Sequence, residues 1–247
     1  MRAGVAQEGT GCPFDRFRVA IAKAVDGYTV TTTKAIALRA PTAEPDEGGE
    51  AMPRGGKRAF DEEAALDVAL ELFWRQGYEA TSIADLTQAM DIRPPSLYAA
   101  FGNKRQLFEK VLDRYAQARS PLSREALAQP TAREVALRLL TGLVEAYTTP
   151  GKPRGCLTVQ AGLASGEDGR AIVEVLKAAR NDYRKAVQDR FEKAVADGDL
   201  PADIDCKALA RFLMATAEGL AVNAAADAPR EELLAAAVLA ARVVPAG

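Results

Sequence analysis

The chain has no histidine. That absence excludes serine hydrolase triads, imidazole proton shuttles and most catalytic zinc sites, all of which depend on an imidazole. Cysteine is scarce as well. Cys12, Cys156 and Cys206 stand too far apart for a C-x-x-C metal or redox motif, and their odd number argues against a disulfide framework. Free thiols in a reducing cytoplasm are the expectation. No apolar run reaches the roughly 18 to 20 residues that a bilayer crossing needs. The N-terminus, with one early arginine (Arg2) and no continuous apolar stretch behind it, does not read as a secretory signal. Neither sign of charge is in surplus: 32 Lys plus Arg against 34 Asp plus Glu leave a net charge of −2 in 247 residues. Any nucleic-acid contact must therefore come from a local basic patch, because the field of the whole molecule would not supply it. A content of 48% hydrophobic and 27% charged residues is that of a soluble globular chain long enough for one or two domains. The composition thus predicts a cytoplasmic protein with no membrane segment; no metal site or cofactor is expected, and a helical enzyme is disfavoured because histidine, a nucleophile motif and a metal cluster are all lacking.

Residues 1–51 differ from the rest. Thr29 to Lys34 and the Pro-, Glu- and Gly-rich run from Pro41 to Glu50 carry no sustained helical periodicity, so this stretch is expected to be a disordered leader. Met52 follows directly and is the expected native start, with residues 1–51 arising from upstream translation. From Asp61 onward helix follows helix. Leu66, Ala69, Leu70, Phe73 and Trp74 form one apolar stripe, and Gly77 stands where a glycine should stop the helix. Thr81 and Ser82 supply an N-cap, with Asp85 at the capping-box spacing, for a short helix from Ile83 to Met90. After a tight break at Asp91-Ile92, Pro94-Pro95 occupy the first turn of a second short helix, where missing N–H groups cost nothing. Gly102 ends it. Asn103 with Gln106 caps the next helix, whose stripe is Leu107, Phe108, Val111, Leu112 and Tyr115. Ser120-Pro121 reads as a break, and longer helices follow: Pro121 to Gln129, Thr131 to Tyr147, Cys156 to Ala164, Gly169 to Asp197, Asp205 to Ala226 and Arg230 to Val244. The class is all-α.

Two short helices joined by a tight turn and held between longer amphipathic ones make a helix-turn-helix arrangement. Here the stretch from Gly77 to Leu107, ending in the string Leu97-Tyr98-x-x-Phe101-x-x-Lys104-x-x-Leu107, resembles the signature of the TetR/AcrR family of bacterial transcriptional regulators. Asp91 stands where many members have glycine, but Asp tolerates the left-handed conformation better than most residues. The resemblance implies an N-terminal helix-turn-helix DNA-binding domain, taken as 57–118, and a helical ligand-binding and dimerisation domain, taken as 119–247. It implies a homodimeric repressor on a near-palindromic double-stranded DNA operator, released by a small-molecule effector. The Pro153-Arg154-Gly155-Cys156-Leu157 string also resembles one found in a branch of that family.

Within that frame, Arg93 is expected to read a base, because a guanidinium bonds guanine bidentately. Ser96 would bond a base edge or phosphate, and Pro94 or Pro95 would pack on a thymine methyl. Tyr98 and Lys104 would hold phosphates, the recognition helix would favour phosphate through its dipole and free N–H groups, and Thr81 and Ser82 would add contacts from the preceding helix. Between Lys57 and Tyr115 eight basic residues meet ten acidic ones, so this segment is not basic overall. Arg54, Lys57 and Arg58 just before the first helix, together with Arg93, Lys104 and Arg105, would form one positive face. The candidate ligand pocket comprises Tyr147, Cys156, Thr158, Gln160 and Tyr183. Cys156 at a helix start carries an alternative, a thiol that senses oxidants in place of a ligand, beside the plainer reading of a small buried residue.

Overall fold

The computed structural model describes residues 61–163 and 169–245. The expected leader, Met52, Arg54, Lys57 and Arg58 lie outside them. Among the described residues the regular elements are all α-helices: α1 (Glu62–Gln76), α2 (Ile83–Ala89), α3 (Pro94–Phe101), α4 (Lys104–Leu127), α5 (Ala132–Tyr147), α6 (Leu157–Leu163), α7 (Arg170–Ala196), α8 (Cys206–Ala225) and α9 (Arg230–Ala241). None is long and apolar enough to cross a membrane.

Local signals set most of the boundaries. Asp61 caps α1 by accepting from the amides of Glu63 and Ala64, and Gly77 closes it at φ 83° with its N–H on the Phe73 carbonyl. Capping boxes open α2 (Ser82 with Asp85), α4 (Asn103 with Gln106) and α5 (Thr131 with Glu134). Each such cap contributes about 1 kcal/mol.

The first three helices and the start of α4 close a small head around Phe73, Leu86, Leu97 and Leu107, all fully buried. Phe108 meets Phe73 edge-on at 4.9 Å and Tyr78 at 5.0 Å, adding directional contacts to the area buried. Arg114 on α4 ties this head together, bonding both carboxylate oxygens of Asp67 at 2.6 and 2.7 Å and also Glu63. The rest of the chain forms a larger helical body in which α9 packs on α5 and α8, α7 packs on α8, and α4 lies against α5.

One expected boundary is overturned. Ser120-Pro121 does not end a helix: α4 runs unbroken from Lys104 to Leu127 with Pro121 inside. Proline in a helix removes one backbone hydrogen bond, here to the Gln117 carbonyl. Both Gln117 and Pro121 are exposed, so the unbonded carbonyl lies on the solvent side of the helix, while Arg119, Ser123 and Ala126 on the other side are buried and hold the helix in place. A single helix therefore passes from the head into the body across position 118.

Candidate nucleic-acid interface and ligand cavity

The turn between α2 and α3 is built by backbone bonds. The Ile92 N–H donates to the Thr87 carbonyl at 3.0 Å, and Asp91 sits at φ 53°, the left-handed conformation its side chain tolerates. Ser82 is the cap: the Asp85 amide donates to its hydroxyl at 3.1 Å, and its own N–H reaches the Asp85 carboxylate at 2.8 Å. The Ser82 hydroxyl also donates to Asp85, which holds that carboxyl below its usual value. Thr81 behaves differently from the expectation. Its side chain is fully buried and its hydroxyl donates to the Gly77 carbonyl at 2.7 Å, so it stitches the α1–α2 connection and offers no side chain to DNA.

On α3, Leu97 and Phe101 point into the core while Arg93, Pro94, Pro95, Ser96 and Tyr98 are exposed. Tyr98 keeps 51% of its surface open, unusual for an aromatic of that size. Arg93 is the N-cap by backbone position, but its side chain makes no cap bond and it enters no ion pair among the described residues. Its guanidinium is thus available. The prolines occupy the first two helical positions and carry no N–H; the Ser96 and Leu97 amides already donate to the Arg93 carbonyl at 2.9 and 3.3 Å. The expected free N–H groups at the start of this helix are therefore absent, and α3 presents side chains and dipole alone. Lys104, at the start of α4, donates to the Glu79 carbonyl at 3.4 Å and stands 4.4 Å from the Tyr78 ring centre. That holds its ammonium beside the α1–α2 connection.

The second feature is a cavity in the body, partly open to solvent. Tyr147, Cys156, Thr158 and Tyr183 all line it; Gln160 does not. The Gln160 amide donates instead to the Arg154 carbonyl at 3.2 Å. The string before Cys156 explains the placement. Arg154 donates to the Ala224 carbonyl in the last turn of α8 and to the Ala228 carbonyl just beyond it, and the Gly155 N–H donates to the Tyr147 carbonyl at 2.9 Å. A Cβ at position 155 would stand 2.8 Å from the Ala221 carbonyl oxygen, so only glycine fits there. Together these contacts turn Cys156 toward the cavity.

Most of the lining residues are not among the candidates read from the sequence, and Tyr115 and Arg119 of α4 are the two with the most distinctive contacts. The Tyr115 hydroxyl donates to the Cys156 sulfur at 3.3 Å, and that sulfur lies 3.1 Å from the Thr158 hydroxyl. Burial pushes the Tyr115 and Tyr147 phenols well above their ordinary values, so both remain neutral. Across the cavity Ser123 donates to the Tyr183 hydroxyl at 3.1 Å. Arg119 is 9% exposed, with its guanidinium carbon 4.8 Å from the Tyr115 ring centre, 5.5 Å from Tyr147 and 5.7 Å from Trp74. The signal was present: a cation four residues after Tyr115 continues the apolar stripe of α4. Among the described residues no cluster of three Cys, Asp or Glu side chains is placed to hold a metal ion.

Comparison with known proteins follows the same division. Residues 65–111 match the model of bacterial regulatory proteins of the tetR family, and residues 135–238 match that of the tetracyclin repressor-like C-terminal domain. The chain is 35% identical over 184 residues to the HTH-type transcriptional repressor ComR of Escherichia coli K12, covering 73% of this chain and 87% of that protein. Among solved structures it is 42% identical to a cysteine variant of the regulator CifR, complexed with a 26-bp operator duplex, with a TM-score of 0.73 over 77% of this chain and all of that one. A regulator from Rhodococcus sp. RHA1 is 62% identical over 75% of this chain and all of that one, with a TM-score of 0.54.

Proposed function

This chain belongs to the TetR family of bacterial regulatory proteins and is a helix-turn-helix transcriptional regulator; from that premise we propose that it is a cytoplasmic, homodimeric repressor that leaves its operator when a small molecule fills the cavity of its body. The observation that carries the reading is the exposed start of α3, where an unpaired Arg93 stands beside Pro94, Pro95, Ser96 and Tyr98. The CifR variant complexed with operator DNA supplies the precedent for a duplex partner.

In this reading α3 enters the major groove. Arg93 reads a base edge, Ser96 and the prolines contact neighbouring bases, and Tyr98, Lys104 and Ser82 fix the phosphate backbone. Lys57 and Arg58 precede α1 and serve as a basic arm. The DNA-binding domain spans 57–118 and the ligand and dimerisation domain 119–247, with α4 common to both.

Dimerisation is supported by an apolar face. On α8 the exposed Ala208, Phe212, Ala215, Gly219 and Val222 recur at spacings of four and three, the pattern of a helix seam. On α9, Leu239 is 65% exposed, and Val243 just beyond that helix is 54% exposed. A surface of this kind marks a protein contact, and pairing two copies through it gives a two-fold dimer whose heads meet half-sites about one helical turn, or a multiple of it, apart. The effector acts by binding the conformation with displaced heads better than the DNA-bound one.

A mobility shift with the DNA upstream of the gene itself tests the reading. Wild type should shift a specific fragment, and Arg93→Ala should lose about 1–3 kcal/mol of discrimination at one base position. Binding unchanged in both affinity and preference would remove Arg93 from the interface.

A second reading has its own observation: the Cys156 sulfur lies on the cavity wall, bonded by Tyr115. If oxidation of this thiol were the signal, Cys156→Ser would abolish release of the operator by peroxide; release that persists in the variant rejects it.

A further inference from the structure

Arg119 is a buried cation without an anion. Its nitrogens make no hydrogen bond or ion pair among the described residues, and the groups that bear on it electrostatically are Tyr115, Tyr147, Tyr183 and Cys156, phenols and a thiol that are neutral in the protonated state. Three aromatic faces surround it, from Trp74, Tyr115 and Tyr147. Cation–π contacts offset part of the desolvation of a guanidinium, but they leave its five N–H donors unfilled. The carboxylate on the cavity wall, Glu218, is engaged elsewhere, 3.9 Å from Arg180. The same cavity is lined by apolar Leu122, Leu143, Val159 and Met214 and by Thr158 and Tyr183.

A guanidinium that is buried, undonated and open on one side to an apolar cavity fits a specific ligand chemistry. We propose that the cavity takes a small organic anion, a carboxylate with an apolar body, whose two oxygens accept from Arg119 while the hydrocarbon portion lies against Leu122, Leu143 and Met214. Bidentate pairing of this kind matches the planar fork of arginine. The proposal deepens the effector reading above and rests on it only for the consequence on DNA; binding itself is a separate claim.

Isothermal titration of the full chain separates the two. Hexanoate and benzoate are compared with their uncharged counterparts, hexanamide and benzamide, on wild type and on Arg119→Met, a substitution that keeps an unbranched stem and removes the charge and the N–H donors. Wild type should bind at least one acid ten-fold or more tightly than its amide, and in Arg119→Met that preference should vanish. Amide binding and the wild-type comparison stand even if the variant folds poorly. Amides that bind wild type as well as the acids, acids that give no heat at millimolar concentration, or an Arg119→Met variant that keeps the preference would each overturn the proposal. A mobility shift with the same probes then reads the regulatory step. Acids that bind but leave the operator complex intact uphold the site and reject the effector role. Release by an uncharged compound, with no acid binding, keeps the effector role and rejects the anion.

Discussion

Leu239 offers a direct measure of the face on α8 and α9. It is 65% exposed in the protomer, and full burial of a leucine stabilises by about 1.5–3 kcal/mol, so covering the remaining surface contributes roughly 1–2 kcal/mol. A two-fold interface uses each residue twice. Truncation in Leu239→Ala keeps only the Cβ, and the dimer should lose about 1.5–3 kcal/mol, a rise in Kd of about 10- to 150-fold. Leu239→Asp should go further, because it buries two unpaired carboxylates in the same interface. Sedimentation of labelled protein from nanomolar to micromolar concentration reads the Kd directly, and far-UV circular dichroism checks that the protomer is intact. The protomer should be intact, since the side chain lies outside its own core. A sedimentation profile unchanged in both variants would refute the assignment of this face, and with it the arrangement of heads that depends on it.

Other expectations follow from the head. Lys104→Ala should weaken binding to all DNA sequences alike and lower the slope of log K against log salt by about 1; a loss confined to one sequence would make Lys104 a base reader. Asp91→Val should cost about 1–3 kcal/mol in chemical denaturation because a β-branched residue resists φ 53°, whereas Asp91→Gly should be close to neutral; equal effects would argue against a strained turn. The Asp67 carboxyl is held below its usual value chiefly by its hydrogen bond from Arg114. Its contribution is therefore present above the unfolded value of 3.8 and lost as pH falls through the lower folded value. The thermal midpoint of wild type should fall more steeply than that of Arg114→Met as the pH drops below about 4, and parallel curves would show that the pair adds nothing measurable.

The head was readable because its determinants are local. Gly77, the Ser82–Asp85 and Asn103–Gln106 boxes and the paired prolines each act within four residues, and the structure places them at the helix ends they specify. Three side chains needed tertiary information. Thr81 precedes a helix and so reads as a cap, but the neighbouring Ser82 takes that role and Thr81 turns inward to Gly77. Gln160 and Thr158 lie on the same short helix, and only the packing of α6 against α7 and α8 decides which meets the cavity. Arg119 continues the α4 stripe one turn after Tyr115, but its burial depends on Trp74 and Tyr147 arriving from α1 and α5. Pro121 misled in the opposite sense: a residue that ends helices in isolation is tolerated where one face is anchored and the other is wet.

The unbroken α4 makes a lever arm. From Arg119 at the cavity to Lys104 beside the proposed DNA-facing surface is 15 residues, about 22 Å at 1.5 Å per residue. A tilt of about 10° pivoting near the cavity would sweep the Lys104 end through about 4 Å, slightly more than the 3.4 Å between successive base pairs along a strand. A displacement too small to disturb the packing of the body would thus move the head by a whole step of the duplex, so that an occupant no larger than a few carbon atoms has enough mechanical gain to take the protein out of register with its site.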